Sequence, residues 1–274
     1  MRPILLYLPY GIPLYAYGLM LTVSVMAGRA LAVRLAARDG MDATLADRCA
    51  VWTFVGAIVG ARLLYVVTNL DQFGSVIDVF AWWKGGVVAY GGFLGGLGAA
   101  IAFCATHDMR LLAWADCVAP SLCVGLALTR VGCFFAGCDF GRDWNGPWSV
   151  RFPAGSPASL EQARLGLLPS GGMESLPVHP TQVYESLAGL VLLILVLAVR
   201  RRQRISGQAL AAFAVGYGLL RYAIEMVRAD ADRGAIGPWS TSQFIALATI
   251  VAASILVIVL RRKSVSYSDP APTV

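Results

Sequence analysis

Charge is what this sequence lacks most. Only 14% of its 274 residues are charged, against about 25% in soluble domains. None of the residues from Pro3 to Gly28 is charged. That shortage excludes an ordinary soluble domain and a protein with a single membrane anchor. The uncharged start is not expected to be a cleaved leader. It is too long for the apolar core of a signal peptide, and Pro3, Pro9 and Pro13 crowd its beginning with tyrosines. Histidine is nearly absent, with only His107 and His179. No convincing internal repeat is present, which argues against a transporter built from repeated halves.

What remains is apolar. Hydrophobic residues make up 58% of the chain, and stretches of about 20 of them read as membrane spans. Seven spans are expected: Ile12–Val33 with Arg29, Ala50–Leu70 with Arg62, Gly86–Thr106 without charge, Leu111–Phe135 with Asp116 and Arg130, Thr181–Val199, Ala209–Val227 with Arg221 and Glu225, and Thr241–Leu260. The expected fold is an all-α polytopic membrane protein. Its seven transmembrane helices form a single domain over residues 1–263, followed by a disordered tail over 264–274.

Orientation follows from the basic residues. Arg29, Arg34, Arg38, Arg48, Arg110, Arg200, Arg201, Arg202, Arg204, Arg261, Arg262 and Lys263 fall on one side; Arg2, Lys84, Arg142, Arg151, Arg164, Arg228 and Arg233 fall on the other. The positive-inside rule makes the first side cytoplasmic, with the N-terminus outside and the C-terminus inside. The net charge of +6 then reflects orientation, not nucleic-acid binding. The loop over residues 139–180 lies outside, and its prolines and glycines leave little room for regular helix.

The run Thr129-Arg130-Val131-Gly132-Cys133-Phe134-Phe135-Ala136-Gly137-Cys138-Asp139-Phe140-Gly141-Arg142 stands where a span enters that loop. Arginine at membrane depth pairs or faces a polar cavity, and a guanidinium matches a phosphate bidentately. The run reads as the floor of a site for an anionic lipid headgroup, or as an interfacial anchor. The other charges inside the spans favour the site. Arg221 and Glu225 share a helix face, with Arg228 three residues further on. Ion pairing is the simpler role for Glu225 and Asp116, and anion binding for Arg130 and Arg221, since arginines outnumber carboxylates at the outer ends of the spans. Gly85, Gly86, Gly91, Gly92, Gly95, Gly96 and Gly98 in the third span allow close approach of another helix or of a lipid chain, with Tyr90 among them. Pro180 suits the first turn of the fifth span, with Thr181 or His179 as its cap. Cys49, Cys104, Cys117 and Cys123 read as packing residues. Cys133 and Cys138 with His179 make a weak metal motif, because no fourth ligand is evident. An oxidising outer compartment would allow a disulfide between the two.

Together these pieces resemble bacterial prolipoprotein diacylglyceryl transferases. The likeness runs through Tyr17-Gly18-Leu19-Met20, Gly60-Ala61-Arg62, Gly85-Gly86 with Gly91-Gly92, Arg130-Val131-Gly132 to Gly141-Arg142, His179-Pro180-Thr181-Gln182-Val183-Tyr184-Glu185, and Arg221 to Arg228. The family signature G-R-x-G-N-F-x-N-G-E here carries Thr129, Cys133, Ala136 and Cys138 at its first Gly, its two Asn and its Glu. The family's His-Gly-Gly is Tyr90-Gly91-Gly92. The resemblance implies a bacterial inner-membrane enzyme with a central lipid-binding cavity. It would move the diacylglyceryl group of phosphatidylglycerol to the lipobox cysteine in the signal peptide of a preprolipoprotein. It implies a monomer needing no cofactor and no metal. Arg130 and Arg221 would stabilise the leaving phosphate, with Tyr90 or His179 as the base. Tyr17, Arg62, Gly91, Gly92, Gly141, Arg142, Glu225 and Arg228 would bind substrate. A related transferase with another acceptor, and an anion or lipid transporter, are the alternatives.

Overall fold

Backbone inside a bilayer must satisfy its own hydrogen bonds, which long apolar runs do as helices. The computed structural model describes residues 4–7, 9–11, 13–80, 85–169, 172–229, 235–236 and 239–268. β1 (Ile4–Tyr7) and β2 (Pro13–Tyr15) pair antiparallel and lead into α1 (Ala16–Arg38). There follow α2 (Ala43–Thr68), a short α3 (Val76–Val79), α4 (Ala89–Thr106) and α5 (Leu111–Ala136). The long loop carries α6 (Pro157–Arg164). After it come α7 (Thr181–Arg202), α8 (Gln208–Glu225), the two-residue strands β3 (Ala235–Ile236) and β4 (Trp239–Ser240), and α9 (Thr241–Ser268).

Among the described residues, six helices are long and apolar enough to cross a membrane: α1, α2, α4, α5, α7 and the Thr241–Leu260 part of α9. The chain is a polytopic membrane protein. α8 has 18 residues but ends on Arg221 and Glu225, which dilute its hydropathy. α2 begins earlier than its apolar stretch because Asp42 caps it, accepting from the amides of Thr44 and Leu45. α9 runs on to Ser268, into the stretch expected as tail; residues 269–274 lie outside the described set.

The chain divides into two compact units, Arg29–Cys117 and Met1–Gly28 with Val118–Val274. In the first, α2 and α4 meet along a glycine seam. A Cβ on Gly56 would lie 2.7 Å from Gly95 O, and one on Gly60 2.8 Å from Gly95 Cα; one on Gly91 would overlap the Gly60 carbonyl. The close packing expected of these glycines is thus between helices. Ahead of α4, Gly85 and Gly86 take φ of 79° and 86°, which a side chain would strain. Their carbonyls accept from Arg62 Nη1 at 2.5 and 3.0 Å, while Arg62 Nε donates to Val79 O at 2.9 Å.

In the second unit, small residues bring α5 against its neighbours. Gly132 faces Tyr17 Cα of α1, at 3.3 Å from where a Cβ would stand, and Gly189 of α7 faces Ala127 at 3.1 Å. Ser186 Oγ donates to Ala127 O at 2.9 Å. α8 meets α9 at Gly218, beneath Ala246 O. The loop between α5 and α7 is more ordered than its composition suggests. Phe140, Phe152, Ala158 and Val178 form its core. The Gln162 side chain ties it together, accepting from Leu176 N at 2.8 Å and donating to Asp143 at 2.9 Å.

Candidate functional site

α5 ends in a left-handed turn. Gly137 has φ 77°, the conformation a helix-ending glycine adopts without strain. The amides of Gly137 and Cys138 both donate to Cys133 O, at 2.9 and 3.3 Å. Asp139 follows, itself at φ 59°. The head of α7 holds this turn: Thr181 Oγ1 donates to Asp139 O at 2.6 Å and Gln182 Nε2 to Cys138 O at 2.6 Å. Neither Thr181 nor His179 caps α7. Pro180 occupies the cap position, and the Thr181 hydroxyl is bound to the turn instead.

The turn delivers Asp139 into a closed ring of four charges. Arg130 Nε donates to Glu185 Oε2 at 2.6 Å, and its Nη1 to Asp139 Oδ2 at 2.7 Å. Arg228 closes the ring, with Nη2 on Asp139 Oδ1 and Nη1 on Glu185 Oε1 at 3.4 Å. Two guanidiniums and two carboxylates sum to zero. Glu185 and Arg228 are buried, their side chains 4% and 5% exposed, so each charge depends on its partners. Burial works to raise the Asp139 pKa, but Arg130 and then Arg228 outweigh it and hold the carboxyl below its usual range.

The ring revises the sequence reading. Around Arg130, arginines do not outnumber carboxylates. Arg228 is not on the face of α8, which stops at Glu225; it lies beyond, bridged to Gly141. Asp139 was not singled out by sequence reasoning, although it stands inside the motif. Glu185 appeared only as the last residue of the run that begins at His179. The signal for both was the demand of buried arginines for carboxylates.

Arg221 stands apart from the ring. Its Nη2 donates to Ser242 Oγ of α9 at 2.8 Å and pairs with Glu225 at 3.0 Å. Its Nη1 is buried and has no hydrogen-bond partner among the described residues. In the ring, Arg130 uses Nε and Nη1, which leaves Nη2 outside it. Arg142 is exposed, and its Nε donates to Arg228 O at 3.2 Å. Gly141 supports the site through its backbone. Its amide donates to His179 O at 3.0 Å, and a Cβ there would lie 2.7 Å from His179 O and 2.9 Å from Val227 O. Tyr17 is within electrostatic reach of Cys133, Cys138, Asp139 and Arg130.

His179 belongs to an aromatic cluster. Its ring stacks on Trp144 at 4.3 Å, and its Nδ1 is 3.2 Å from the Tyr184 hydroxyl. That hydroxyl accepts from Trp148 Nε1 at 2.7 Å. An indole nitrogen only donates, so the Tyr184 hydroxyl accepts there; with its own proton turned to Nδ1, the imidazole would carry its proton on Nε2. Burial lowers the His179 pKa, which favours this neutral form. Protonated on Nε2, His179 would be a donor; protonated on Nδ1, it would offer Nε2 as the base considered from sequence.

The remaining expected site residues lie in the other unit. Arg62, 4% exposed, directs its guanidinium to carbonyls and stands 5.6 and 5.5 Å from the rings of Tyr65 and Phe73. Gly91 packs on α2, and Gly92 lies beside Ala57 O and Ala61. Tyr90 is half-exposed in the first turn of α4.

All six cysteines are free thiols, and Cys49, Cys104, Cys117 and Cys123 are buried. The Cys133 and Cys138 sulfurs and an Asp139 carboxylate oxygen all lie within 4.8 Å of one another. Cys138 Sγ is 3.8 Å from Asp139 Oδ2, and Arg130 Nη1 is 3.8 Å from Cys133 Sγ. His179 is not part of this group.

The family model described as prolipoprotein diacylglyceryl transferase matches residues 3–259. Curated relatives named phosphatidylglycerol–prolipoprotein diacylglyceryl transferase match along most of their length. The one from Clostridium tetani is 30% identical over 92% of this chain and 94% of its own. That of Gloeobacter violaceus is 33% identical over 93% and 91%. That of Thermosynechococcus vestitus is 35% identical over 87% and 85%.

Proposed function

The chain belongs to the prolipoprotein diacylglyceryl transferase family, and from that premise we propose its reaction and the residues that carry it. It transfers the diacylglyceryl group of phosphatidylglycerol to the cysteine thiol of a prolipoprotein. The thiol sulfur attacks the glycerol carbon that bears the phosphate ester, a thioether forms, and glycerol phosphate leaves. Negative charge grows on the departing phosphate, and fixed donors aimed at it lower the barrier. Arg221 and Arg130 are assigned that role. The observation that carries it is the buried Arg221 Nη1, a guanidinium nitrogen with no hydrogen-bond partner among the described residues. A phosphate oxygen would satisfy it.

The ring keeps the Arg130 plane fixed, leaving Nη2 for the donor lipid. Glu225 orients Arg221, and Arg228 and Gly141 maintain the ring and its loop. His179 donates through Nε2, and Arg142 meets the headgroup. Tyr17 lines the site beside Gly132. Arg62, Gly91 and Gly92 fix the helix on which Tyr90 stands. The full architecture is seven membrane helices around a lipid-binding cavity, α8 included. The N-terminus is outside and the C-terminus cytoplasmic, in a monomer of the bacterial inner membrane. The acceptor cysteine is that of a lipobox in a signal peptide.

Transfer from phosphatidylglycerol to a lipobox peptide, by the purified full chain, tests the reaction. Arg221→Lys and Arg130→Lys should each lower it by about 100-fold, the order seen for loss of one transition-state donor. Full activity in both variants would make these arginines structural. Reporter fusions after Gln203 and Lys263 should read cytoplasmic and one near Gly171 external; a cytoplasmic Gly171 would overturn the topology.

A further inference from the structure

Two departures from the family signature are cysteines, and the fold turns them toward each other. Cys133 lies three residues before the end of α5, and Cys138 follows the left-handed Gly137. Side chains at these two positions meet across a helix-ending glycine turn. The next residue, Asp139, adds a carboxylate oxygen, and the three ligand atoms lie within 4.8 Å of one another. We propose that Cys133, Cys138 and Asp139 bind a divalent cation of the zinc type, whose open fourth position takes the acceptor thiol.

The donor chemistry fits. Two thiolates and a carboxylate suit zinc, and three protein ligands with one open position is the arrangement of catalytic zinc sites. Charge fits as well. The ring of Arg130, Asp139, Arg228 and Glu185 is neutral; two thiols losing their protons add two negative charges, and the cation restores the balance. Asp139 has capacity to spare. A carboxylate offers about four lone-pair sites, and its two oxygens each meet one guanidinium.

The chain also has a need that this site meets. Thioether formation requires a thiolate, and the position of the family's histidine holds Tyr90. The imidazole that serves as the commonest general base is missing there. Coordination deprotonates a thiol outright. The acceptor thiol releases its proton to solvent as its sulfur binds. The sulfur lone pair then forms the C–S bond, and the C–O bond breaks with its electrons on the phosphate oxygen. The cation keeps its charge throughout. The assignment of the fourth position rests on the transferase reading; the metal site does not.

Cobalt(II) is the probe, added to the reduced, purified full chain in detergent. One equivalent should bind, with thiolate-to-cobalt absorption that zinc abolishes by displacement. Maleimide should then modify neither Cys133 nor Cys138. Cys138→Ser should lose the band, Cys138→Asp should keep the stoichiometry with weaker thiolate absorption, and Cys104→Ser should match wild type. Thermal unfolding of each variant separates lost binding from lost folding. A lipobox peptide with its cysteine should intensify the band, and the same peptide with serine should not. The proposal falls if no saturable band appears, if it survives in the Cys133→Ser, Cys138→Ser double variant, or if the cysteine peptide leaves it unchanged. Cobalt and peptide binding by a chain that transfers nothing would overturn the transferase reading and keep the metal site.

Discussion

Arg62 and Arg130 are both arginines on apolar helices, and they do opposite things. Arg62 gives its donors to the carbonyls of Val79, Gly85 and Gly86 and stands against two aromatic rings. Arg130 gives its donors to Asp139 and Glu185. The first is a staple: the acceptors it meets among the described residues are backbone carbonyls, which it ties to α2. The second is held by carboxylates that can be shared with a ligand, in a ring with no net charge. Residue type does not separate the two; what accepts from the guanidinium does.

The most damaging way to break this contrast is to open the ring. Glu185→Ala leaves Arg130 and Arg228 short of a carboxylate, and loss of one partner from a buried pair costs about 3–5 kcal/mol. Denaturant or thermal unfolding in detergent should show a loss of that order, with transfer abolished. An unchanged midpoint would show that the ring adds nothing to stability. The next test is chemical. Arg130→Lys should lose about 100-fold in transfer, whereas Arg62→Lys should lower unfolding stability and leave most of the transfer rate. Equal activity losses would erase the distinction between staple and site.

A smaller effect separates the glycines of α4. Gly91→Ala places a methyl against the Gly60 carbonyl and should cost about 1–3 kcal/mol by overpacking. At Gly98 nothing lies within 4 Å of the added carbon, so Gly98→Ala should stabilise by about 0.5–1 kcal/mol. The mildest change is Tyr184→Phe. It removes the hydroxyl's hydrogen bonds with His179 and with the exposed Trp148 and should cost about 1 kcal/mol, while NMR of the imidazole nitrogens should show a shifted tautomer balance.

The helices were legible because hydropathy is a local property. The expected starts of the fourth, fifth and seventh spans coincide with those of α5, α7 and α9. The ends were less so: Asp42 starts α2 well before its apolar stretch, a capping effect that hydropathy does not register. The site was legible in parts. Arg130 and Arg221 stood out because arginine inside an apolar run is costly. Asp139 did not, because its carboxylate acquires meaning only when residues 130 and 228 come to either side of it, and that pairing depends on the left-handed turn at Gly137. His179 was visible as a rare residue, but its contacts with Trp144 and Tyr184 follow from no spacing rule. The glycines of the third span announced close approach; that α2 is the element approaching could be read only from the facing Gly56 and Gly60.

The neutral ring has a consequence for how the protein is made. Each charge alone at the centre of a bilayer costs about 2.5–3.5 kcal/mol on an insertion scale. Arg130 and Asp139 leave the ribosome nearly together and enter as a pair that already cancels. Glu185 comes with α7, and Arg228 only after α8. Until residue 228 has been synthesised, the nascent chain carries one carboxylate more than it can neutralise with these arginines. The last member of the ring therefore sets the time at which the site can close, and α8 is the segment that must be in place before it does.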